Sequence, residues 1–269
     1  MLMYTLDQRI GSGSYGSVWR AKRISDDKEV AIKREHANAK IPQLKYEYRV
    51  LKELRATMCL CVPQVYGQYQ DQDHNECVAM ELLGPDLETL RKQHKLPLKR
   101  IMTQIAPKYI RALRDIHQAN YLHRDIKPRN LVTTQSGRGY RLIDYGLAKK
   151  YRDAQGNHIP LCENKPFVGT PRFASIAKHF GYESSRKDDM ESLGYTLLYL
   201  ICGSLPWQGM NASTMSDIRA LGQIKKDMDV GELCKDVPPC FRLYMTHVQN
   251  LGFTDSPDYV YLETLFTQK

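Results

Sequence analysis

The sequence predicts an α+β fold, with a small β-rich N-terminal lobe and a larger, mainly helical C-terminal lobe. Short strand-like runs separated by turn residues fill residues 1–83. From there on, apolar residues recur at helical spacing, as in residues 99–118, where Pro107 should kink or split the helix. We therefore expect one domain, with lobes at residues 1–83 and 84–269.

The composition is typical of a soluble globular protein. Of the 269 residues, 42% are hydrophobic and 26% are charged, which are ordinary values for such a domain. The first residues lack the basic and apolar regions of a signal peptide, and the longest apolar run, residues 193–202, is too short to cross a bilayer. These patterns predict an intracellular protein, cytoplasmic or nuclear, that does not contact membranes.

Seven cysteines, an odd number, are scattered along the chain. A disulfide framework would be denser, and a zinc site would show paired Cys-x-x-Cys motifs. The closest spacing, Cys59-Leu60-Cys61, is interpreted as the alternation of a strand. We therefore expect reduced thiols in a reducing compartment.

Positive charge is concentrated in the middle of the chain. The formal net charge is +9, and residues 121–187 contain 13 Lys and Arg against 5 Asp and Glu. Residues 188–269 are acidic, with 6 Lys and Arg against 11 Asp and Glu. A basic field attracts anionic partners. An acidic or phosphorylated protein and a nucleic acid are both candidates, and a solvated basic face is the alternative.

The N-terminal strands carry two nucleotide-binding patterns. A strand at residues 4–10 leads into G-x-G-x-x-G-x-V at 11–18, where glycines let the backbone approach phosphate oxygens and Val18 would cover a base. A dinucleotide-binding Rossmann site shares the glycines, but it needs a helix directly after them, whereas a second strand follows here. The V-A-I-K pattern at 30–33 places Lys33 on a third strand, where it can reach nucleotide phosphates if a carboxylate holds it.

Glu47 is the predicted partner of Lys33. It lies on the apolar face of a helix predicted at residues 43–54. A Glu on such a face costs stability unless it is paired. Glu53 falls on the solvent side of the helix and is the second choice.

Two more strands, at residues 62–67 and 77–80, complete the predicted N-terminal lobe. The segment 81–85 then breaks the strand pattern and is the predicted hinge. Its backbone groups could bind an adenine edge with Met80 behind it. Plain core packing is the alternative for Met80.

The strongest chemical pattern lies on one loop. H-R-D-I-K-P-R-N at residues 123–130 places Asp125, Lys127 and Asn130 together, and a hairpin after it should deliver Asp144 beside Asn130. Phosphoryl transfer from a nucleotide needs such a set. One carboxylate orients the attacking hydroxyl, a cation steadies the moving phosphate, and an Asn and a second carboxylate hold metal ions.

In this order and spacing, the motifs resemble those of the protein kinase superfamily. Within it, the chain resembles the casein kinase I group over about residues 4–266, at segments 81–87, 169–176, 188–194, 203–209 and 253–262. The resemblance implies a two-lobed Ser/Thr protein kinase that uses ATP and Mg²⁺. D-Y-G at residues 144–146 also occurs in vaccinia-related kinases, but the G-S-L-P-W-Q-G and S-L-G-Y segments fit casein kinase I better.

The resemblance also implies a role for each matching residue. Asp125 resembles the catalytic base, and Lys127 resembles the lysine that neutralises the γ-phosphate. Asn130 and Asp144 resemble the Mg²⁺ ligands, and Lys33 resembles the phosphate-anchoring lysine. A structural salt bridge is the alternative for each.

Two larger sets follow from the same resemblance. The nucleotide-binding positions are Ile10, Gly11, Ser12, Gly13, Gly16, Val18, Ala31, Lys33, Glu47, Met80, Leu83, Leu131, Ile143 and Asp144. The site for a substrate phosphate or acidic side chain consists of Arg172, Lys165 and the backbone of Gly209.

Three departures from the group are visible. Tyr145 replaces a Phe, so its hydroxyl needs a partner if it is buried. Arg129 stands where the group usually has an acid, and residues 210–217 hold none of the Lys or Arg that help the group bind substrate phosphate. The anion site is therefore expected to be partial.

Thr170 is the only Ser or Thr between Asp144 and Phe173. Many kinases order this segment by phosphorylation, but the hydroxyl of Thr170 is expected to brace the catalytic loop instead. Only Tyr145 and Tyr151 offer other hydroxyls there. We therefore expect a kinase that is active without activation-loop phosphorylation. Separately, we expect a monomer.

Two rival functions remain at the level of sequence. A catalytically dead scaffold would usually have lost Lys33, Asp125 or Asp144, and all three are present. A nucleic-acid-binding module would show salt-dependent DNA binding, but it leaves the ordered motifs unexplained. We expect acidic or phosphorylated protein substrates and no specific nucleic acid.

Overall fold

The computed structural model describes residues 3–13, 16–37, 39 and 41–267. Its contacts divide the chain into two compact units. The first contains the chain up to Pro85 together with residues 132–146, and the second contains residues 86–131 and those from Leu147 onward. The division differs from the expected lobes, because it falls two residues later and assigns residues 132–146 to the first unit.

The elements are numbered in chain order. The strands are β1 (Tyr4–Gly13), β2 (Gly16–Arg23), β3 (Glu29–Glu35), β4 (Val65–Gln70), β5 (Glu76–Glu81), β6 (Leu83–Asp86), β7 (Tyr121–Leu122), β8 (Leu131–Thr134), β9 (Tyr140–Leu142) and β10 (Lys149–Lys150). The helices are α1 (Leu44–Ala56), α2 (Leu87–Lys92), α3 (Leu98–Arg100), α4 (Ala106–Gln118), α5 (Ile176–His179), α6 (Arg186–Cys202), α7 (Met215–Asp227), α8 (Val230–Leu233), α9 (Pro239–Gln249) and α10 (Tyr259–Thr267).

The first unit is built on an antiparallel sheet in the order β1-β2-β3-β5-β4, with α1 beside it. The five predicted strands and the single helix are confirmed, and with them the α+β class. The fourth strand begins at Val65 rather than at Val62. Pro63 has no N–H to donate to a sheet, which explains the later start.

The core of this unit follows the alternation of its strands. Val30 and Ile32 of β3 point to the same buried side, where they meet Ala21 of β2 and Ala79 of β5. The inner face of α1 buries apolar residues at helical spacing, and Glu47 lies among them.

A second small sheet, in the order β6-β8-β9, explains why residues 132–146 belong with the first unit. The Leu142 N–H donates to the Cys61 carbonyl at 2.8 Å, and Arg141 pairs with Glu81 at 2.9 Å. The segment 81–85, predicted to break the strand pattern, interrupts it only at Leu82, because Glu81 ends β5 and β6 begins at Leu83. Gly84 is needed there, because a Cβ would come within 2.7 Å of the Thr134 carbonyl oxygen.

The second unit is organised around α6, which is buried along most of its length. Helices α4 and α9 pack against α6, and α10 packs against α4. The expected interruption near Pro107 is confirmed, because a π-helical turn (Ile101–Ile105) precedes α4 and Pro107 lies in the first turn of α4. Strands β7 and β10 pair antiparallel beside the catalytic loop motif. Among the described residues, no helix has the length and apolarity needed to span a bilayer.

Candidate active site

Lys33 and Glu47 form the ion pair that the sequence predicts. Lys33 lies on β3, and Glu47 lies on the inner face of α1, where it is 4% exposed. The Lys33 Nζ is 2.6 Å from the Glu47 Oε2. Burial opposes the charge on Lys33, but the Glu47 and Asp144 carboxylates outweigh it and raise the pKa of the ammonium group. Lys33 is therefore a fixed cation at neutral pH.

Asp144 lies next to the Lys33–Glu47 ion pair in the first unit. Its Oδ1 lies 3.4 Å from the Lys33 Nζ, and 44% of its side chain is exposed. Its backbone is left-handed, with φ of 71°, which is uncommon for a residue with a Cβ although Asp tolerates it better than most. The next residue, Tyr145, is fully buried and donates its N–H to the Glu47 Oε1 at 3.4 Å. These contacts present the Asp144 carboxylate beside the cation.

The glycine-rich motif forms the β1–β2 hairpin. Gly11 pairs with Val18, and the pairing continues to Gly13 and Gly16. Residues 14 and 15 of the motif lie outside the described residues. A Cβ at Gly16 would come within 1.9 Å of the carbonyl oxygen of Arg34 on β3. Glycine is therefore required at this position by the close approach of the neighbouring strand.

The other positions predicted to bind nucleotide differ in exposure. Ala31 and Met80 are register partners on β3 and β5. Ala31 is buried, and Met80 is half-buried. The remaining predicted positions are Ile10 on β1 (48% exposed), Ser12 on β1 (exposed), Leu83 on β6 and Ile143 after β9 (half-buried), and Leu131 on β8 (fully buried).

In the second unit, the catalytic-loop motif forms a closed hydrogen-bond network. The Lys127 Nζ lies 2.5 Å from the Asp125 Oδ2 and donates to the Thr170 Oγ1 at 3.1 Å. Thr170 in turn donates to the Asp125 Oδ1 at 2.9 Å, which confirms that its hydroxyl braces the loop. Asn130 donates from Nδ2 to the Asp125 carbonyl at 2.8 Å. The three predicted catalytic residues of this loop are thus held together.

Asp189 on α6 fixes the backbone of the catalytic-loop motif at His123 and Arg124. Its carboxylate accepts the N–H groups of His123 and Arg124, at 2.7 and 2.8 Å. Arg124 has a positive φ of 70°, a strained conformation that these bonds help to hold. Burial would raise the pKa of Asp189, but the hydrogen bond from His117 and the charges of His117 and Lys178 lower it to about 2. Asp189 is therefore a permanent anion at neutral pH.

Comparison with known families adds the observation that decides the identity. Residues 4–243 match the protein kinase domain. The chain belongs to the protein kinase family. The matched region spans most of the chain and includes every predicted catalytic residue.

The second unit of this kinase has an open cavity of about 580 Å³ beside Asp125's loop. Lys127, Arg129, Arg172 and Gly209 line it together. The Arg172 guanidinium lies 5.8 Å from the centre of the Tyr199 ring, over its face. The structure therefore brings two of the three predicted anion-site residues into one cavity and adds Arg129 to them.

The third predicted anion-site residue, Lys165, lines a different cavity. Its neighbours there include Arg124, Lys149 and Glu183. The Lys165 Nζ is 3.2 Å from the buried Glu183 carboxylate, which Lys149 also contacts at 2.8 Å. Lys165 is thus already ion-paired, and it does not share the cavity of Arg172.

Sequence reasoning missed Lys225 on α7, which is 1% exposed. Its Nζ donates to the carbonyls of Pro171 and Ala174, at 2.9 and 2.6 Å, and lies 3.2 Å from that of Arg172. Burial lowers its pKa to about 7, against the attraction of the Glu191 carboxylate. Lys225 therefore anchors the backbone from which Arg172 projects.

A signal for this lysine was present in the sequence. The buried positions of α7 are Ile218, Leu221, Gly222 and Lys225. They recur at the three- and four-residue spacing of one helix face. A lysine on the apolar face of a helix is the same signal that identified Glu47.

Proposed function

We propose that this protein kinase is a Ser/Thr kinase of casein kinase I type, which transfers the γ-phosphoryl group of MgATP to acidic or already phosphorylated proteins. The observation that carries the substrate class is the cavity lined by Lys127, Arg129 and Arg172. Its one carboxylate, Glu88, is already paired with Arg91 at 3.0 Å. The other charged side chains that line the cavity are cationic, which favours an anionic segment beside the phosphorylated residue.

Asp144 in the first unit and Asn130 in the second each carry the kind of oxygen atom that binds a magnesium ion. Asp144 offers a carboxylate that is nearly half exposed, and Asn130 supplies an amide oxygen. Both are the hard oxygen ligands that Mg²⁺ prefers. When bound, the ion would neutralise charge on the nucleotide phosphates.

The chain's own residues would act on the reacting groups. Asp125 would orient the substrate hydroxyl and accept its proton, since Thr170 and Lys127 fix both of its carboxylate oxygens. Lys127 would stabilise the transferred phosphoryl group. Lys33, held by Glu47, would anchor the nucleotide phosphates before and during transfer.

We further propose activity without activation-loop phosphorylation. The hydroxyl of Thr170 already donates to Asp125 and accepts a hydrogen bond from Lys127. Lys225 holds the backbone at Pro171 and Ala174 by donating to their carbonyl groups. These contacts position this part of the segment without a phosphate group. A cytoplasmic or nuclear location and a monomeric state are further proposals, which rest on the sequence only.

The proposed substrate class is tested with a peptide series. Phosphatase-treated enzyme is given MgATP and peptides that differ only by an acidic, phosphorylated, neutral or basic residue upstream of one Ser. The acidic and phosphorylated peptides should be used best. Equal use of acidic and basic peptides would contradict the substrate class, and loss of nearly all activity after phosphatase would contradict independence from phosphorylation.

In the same series, Arg172→Ala should lower kcat/KM for the acidic and phosphorylated peptides by about tenfold, the effect of one lost charge-assisted contact. The neutral peptide should change by less than about twofold. Arg242→Ala, at an exposed arginine on α9, is the matched control and should leave all ratios unchanged. A uniform loss on every peptide would show that Arg172 does not read substrate charge.

A further inference from the structure

The segment after α1 forms a turn, so the interpretation of Cys59-Leu60-Cys61 as a strand is wrong. Met58 has a positive φ of 61° and reverses the chain at the helix end. The Cys59 N–H then donates to the Leu54 carbonyl at 3.1 Å. On the other side, the Cys61 carbonyl accepts the N–H of Leu142 on β9 at 2.8 Å. Hydrogen bonds thus fix the backbone at both cysteines.

This turn places two thiols in contact. The Sγ atoms of Cys59 and Cys61 are 3.1 Å apart, and both residues are reduced. A disulfide bond is about 2.05 Å long, so the sulfur atoms need to approach by only about 1 Å to form one. Among the described residues there is no group of three or more His, Cys, Asp or Glu that could hold a metal ion. The contact is therefore not part of a larger metal site there.

The two thiols differ in their access to solvent. Cys59 is 2% exposed, whereas Cys61 is partly exposed and follows the 57% exposed Leu60. Cys61 is therefore the more accessible of the two residues to a small oxidant in solution. This asymmetry matches the division of an oxidisable pair into an attacking thiol and a resolving thiol.

We propose that Cys59 and Cys61 are a redox modification site, which hydrogen peroxide converts into an intrachain disulfide. The Cys61 sulfur attacks the peroxide oxygen, the O–O bond breaks, and a sulfenic acid and one water are formed. The Cys59 sulfur then attacks the Cys61 sulfur, and the second oxygen leaves as water. Two thiols lose two electrons and two protons, and the peroxide is reduced to two waters.

The fixed turn explains why the disulfide should form faster than a sulfinic acid. The resolving sulfur is held in contact with the attacked sulfur, so the second step is intramolecular and needs no encounter. Further oxidation of the sulfenic acid requires a second peroxide molecule. At low peroxide, the disulfide should therefore form before a sulfinic acid accumulates.

The experiment uses the full chain, reduced and then freed of reductant. It is exposed to a small excess of hydrogen peroxide, freed of peroxide, unfolded in denaturant so that every remaining thiol can be alkylated, and digested with trypsin. Cleavage after Arg55 and Arg91 gives the fragment 56–91, which holds Cys59, Cys61 and Cys77. The proposal predicts a fragment lighter by two hydrogens, with one alkyl group, on Cys77. Dithiothreitol before alkylation should restore three alkyl groups.

Three variants sharpen the result. Cys61→Ser should abolish the disulfide, Cys59→Ser should leave Cys61 as a sulfenic acid trapped by dimedone, and Cys77→Ser should retain the disulfide. If a serine variant does not fold, the positions of the alkyl groups in the peroxide-treated wild type still test whether Cys59 and Cys61 form the disulfide. Alkylation of both Cys59 and Cys61 after peroxide treatment, or a sulfinic acid on Cys61 without any disulfide, would overturn the proposal.

Discussion

Asp125→Asn should lower kcat for peptide phosphorylation by about 10³-fold, within the range that general-base catalysis supplies. The amide cannot accept the proton of the substrate hydroxyl. Its oxygen can still receive the Thr170 hydroxyl, and Asn130 still donates to the main-chain carbonyl. The variant loses the contact between Asp125 and Lys127, but Lys127 still donates to Thr170. The remaining bonds should keep the geometry of the loop, so the loss should be chemical. Steady-state kinetics at saturating MgATP measure it.

Two measurements distinguish a loss of catalysis in Asp125→Asn from misfolding of the variant. The dissociation constant for nucleotide, measured by fluorescence titration, should change by less than about threefold. Asp227→Asn, at an exposed carboxylate on α7, is the matched control and should retain full activity. A kcat for Asp125→Asn above a tenth of the wild-type value would remove Asp125 from the catalytic role.

Asp189→Asn should lower the free energy of unfolding by about 2 to 3 kcal/mol, the cost of breaking buried hydrogen bonds to a charged group. Its carboxylate receives the backbone N–H groups of His123 and Arg124 and lies 3.1 Å from the His117 Nε2. An amide supplies one acceptor oxygen and places an NH₂ group against the remaining donor. Urea unfolding at neutral pH measures the change, and Asp227→Asn should change it by less than about 0.5 kcal/mol.

The pH dependence of the free energy of unfolding, measured for wild type and Asp189→Asn, gives an independent check. The pKa of Asp189 is lowered to about 2 from an ordinary 3.8, so the unfolded state binds the proton more readily. The contribution of the Asp189 carboxylate to the free energy of unfolding is fully present above the pKa that Asp189 has in the unfolded chain. It is lost as the pH falls through the pKa that Asp189 has in the folded protein. The stability difference between wild type and Asp189→Asn should therefore shrink by about 2 kcal/mol between pH 5 and pH 2. A constant difference would contradict the ionised role of Asp189.

The sequence predicts those parts of the site that depend on local pattern or on the cost of burying a charge. Glu47 was found because a carboxylate on an apolar helix face requires a cation, and Lys33 is that cation. Thr170 was expected to brace the catalytic loop, and it bonds Asp125. The positions of the five strands along the chain follow from the same local rules.

The features that sequence missed depend on contacts between distant segments. The residues after Leu131 join the first unit because β9 meets the Cys61 carbonyl and Arg141 meets Glu81. The family resemblance groups Lys165 with Arg172, and the structure adds an ion pair between Lys165 and the buried Glu183 carboxylate. No local pattern reports such pairings.

The casein kinase I assignment and the roles of the individual site residues remain proposals. Membership of the protein kinase family rests on a match over residues 4–243. The substrate preference proposed from the cavity around Arg129 and Arg172 is independent of the proposed catalytic roles. The two claims therefore need separate experiments.

The most direct test of catalysis compares wild type with Asp144→Asn in transfer of labelled γ-phosphate from MgATP to casein. Asp144 lies 3.4 Å from Lys33, with its carboxylate nearly half exposed, and the proposed role requires its charge. Wild type should phosphorylate casein, and Asp144→Asn should be slower by about 10²- to 10³-fold while remaining folded. Equal transfer by the two proteins would contradict the account.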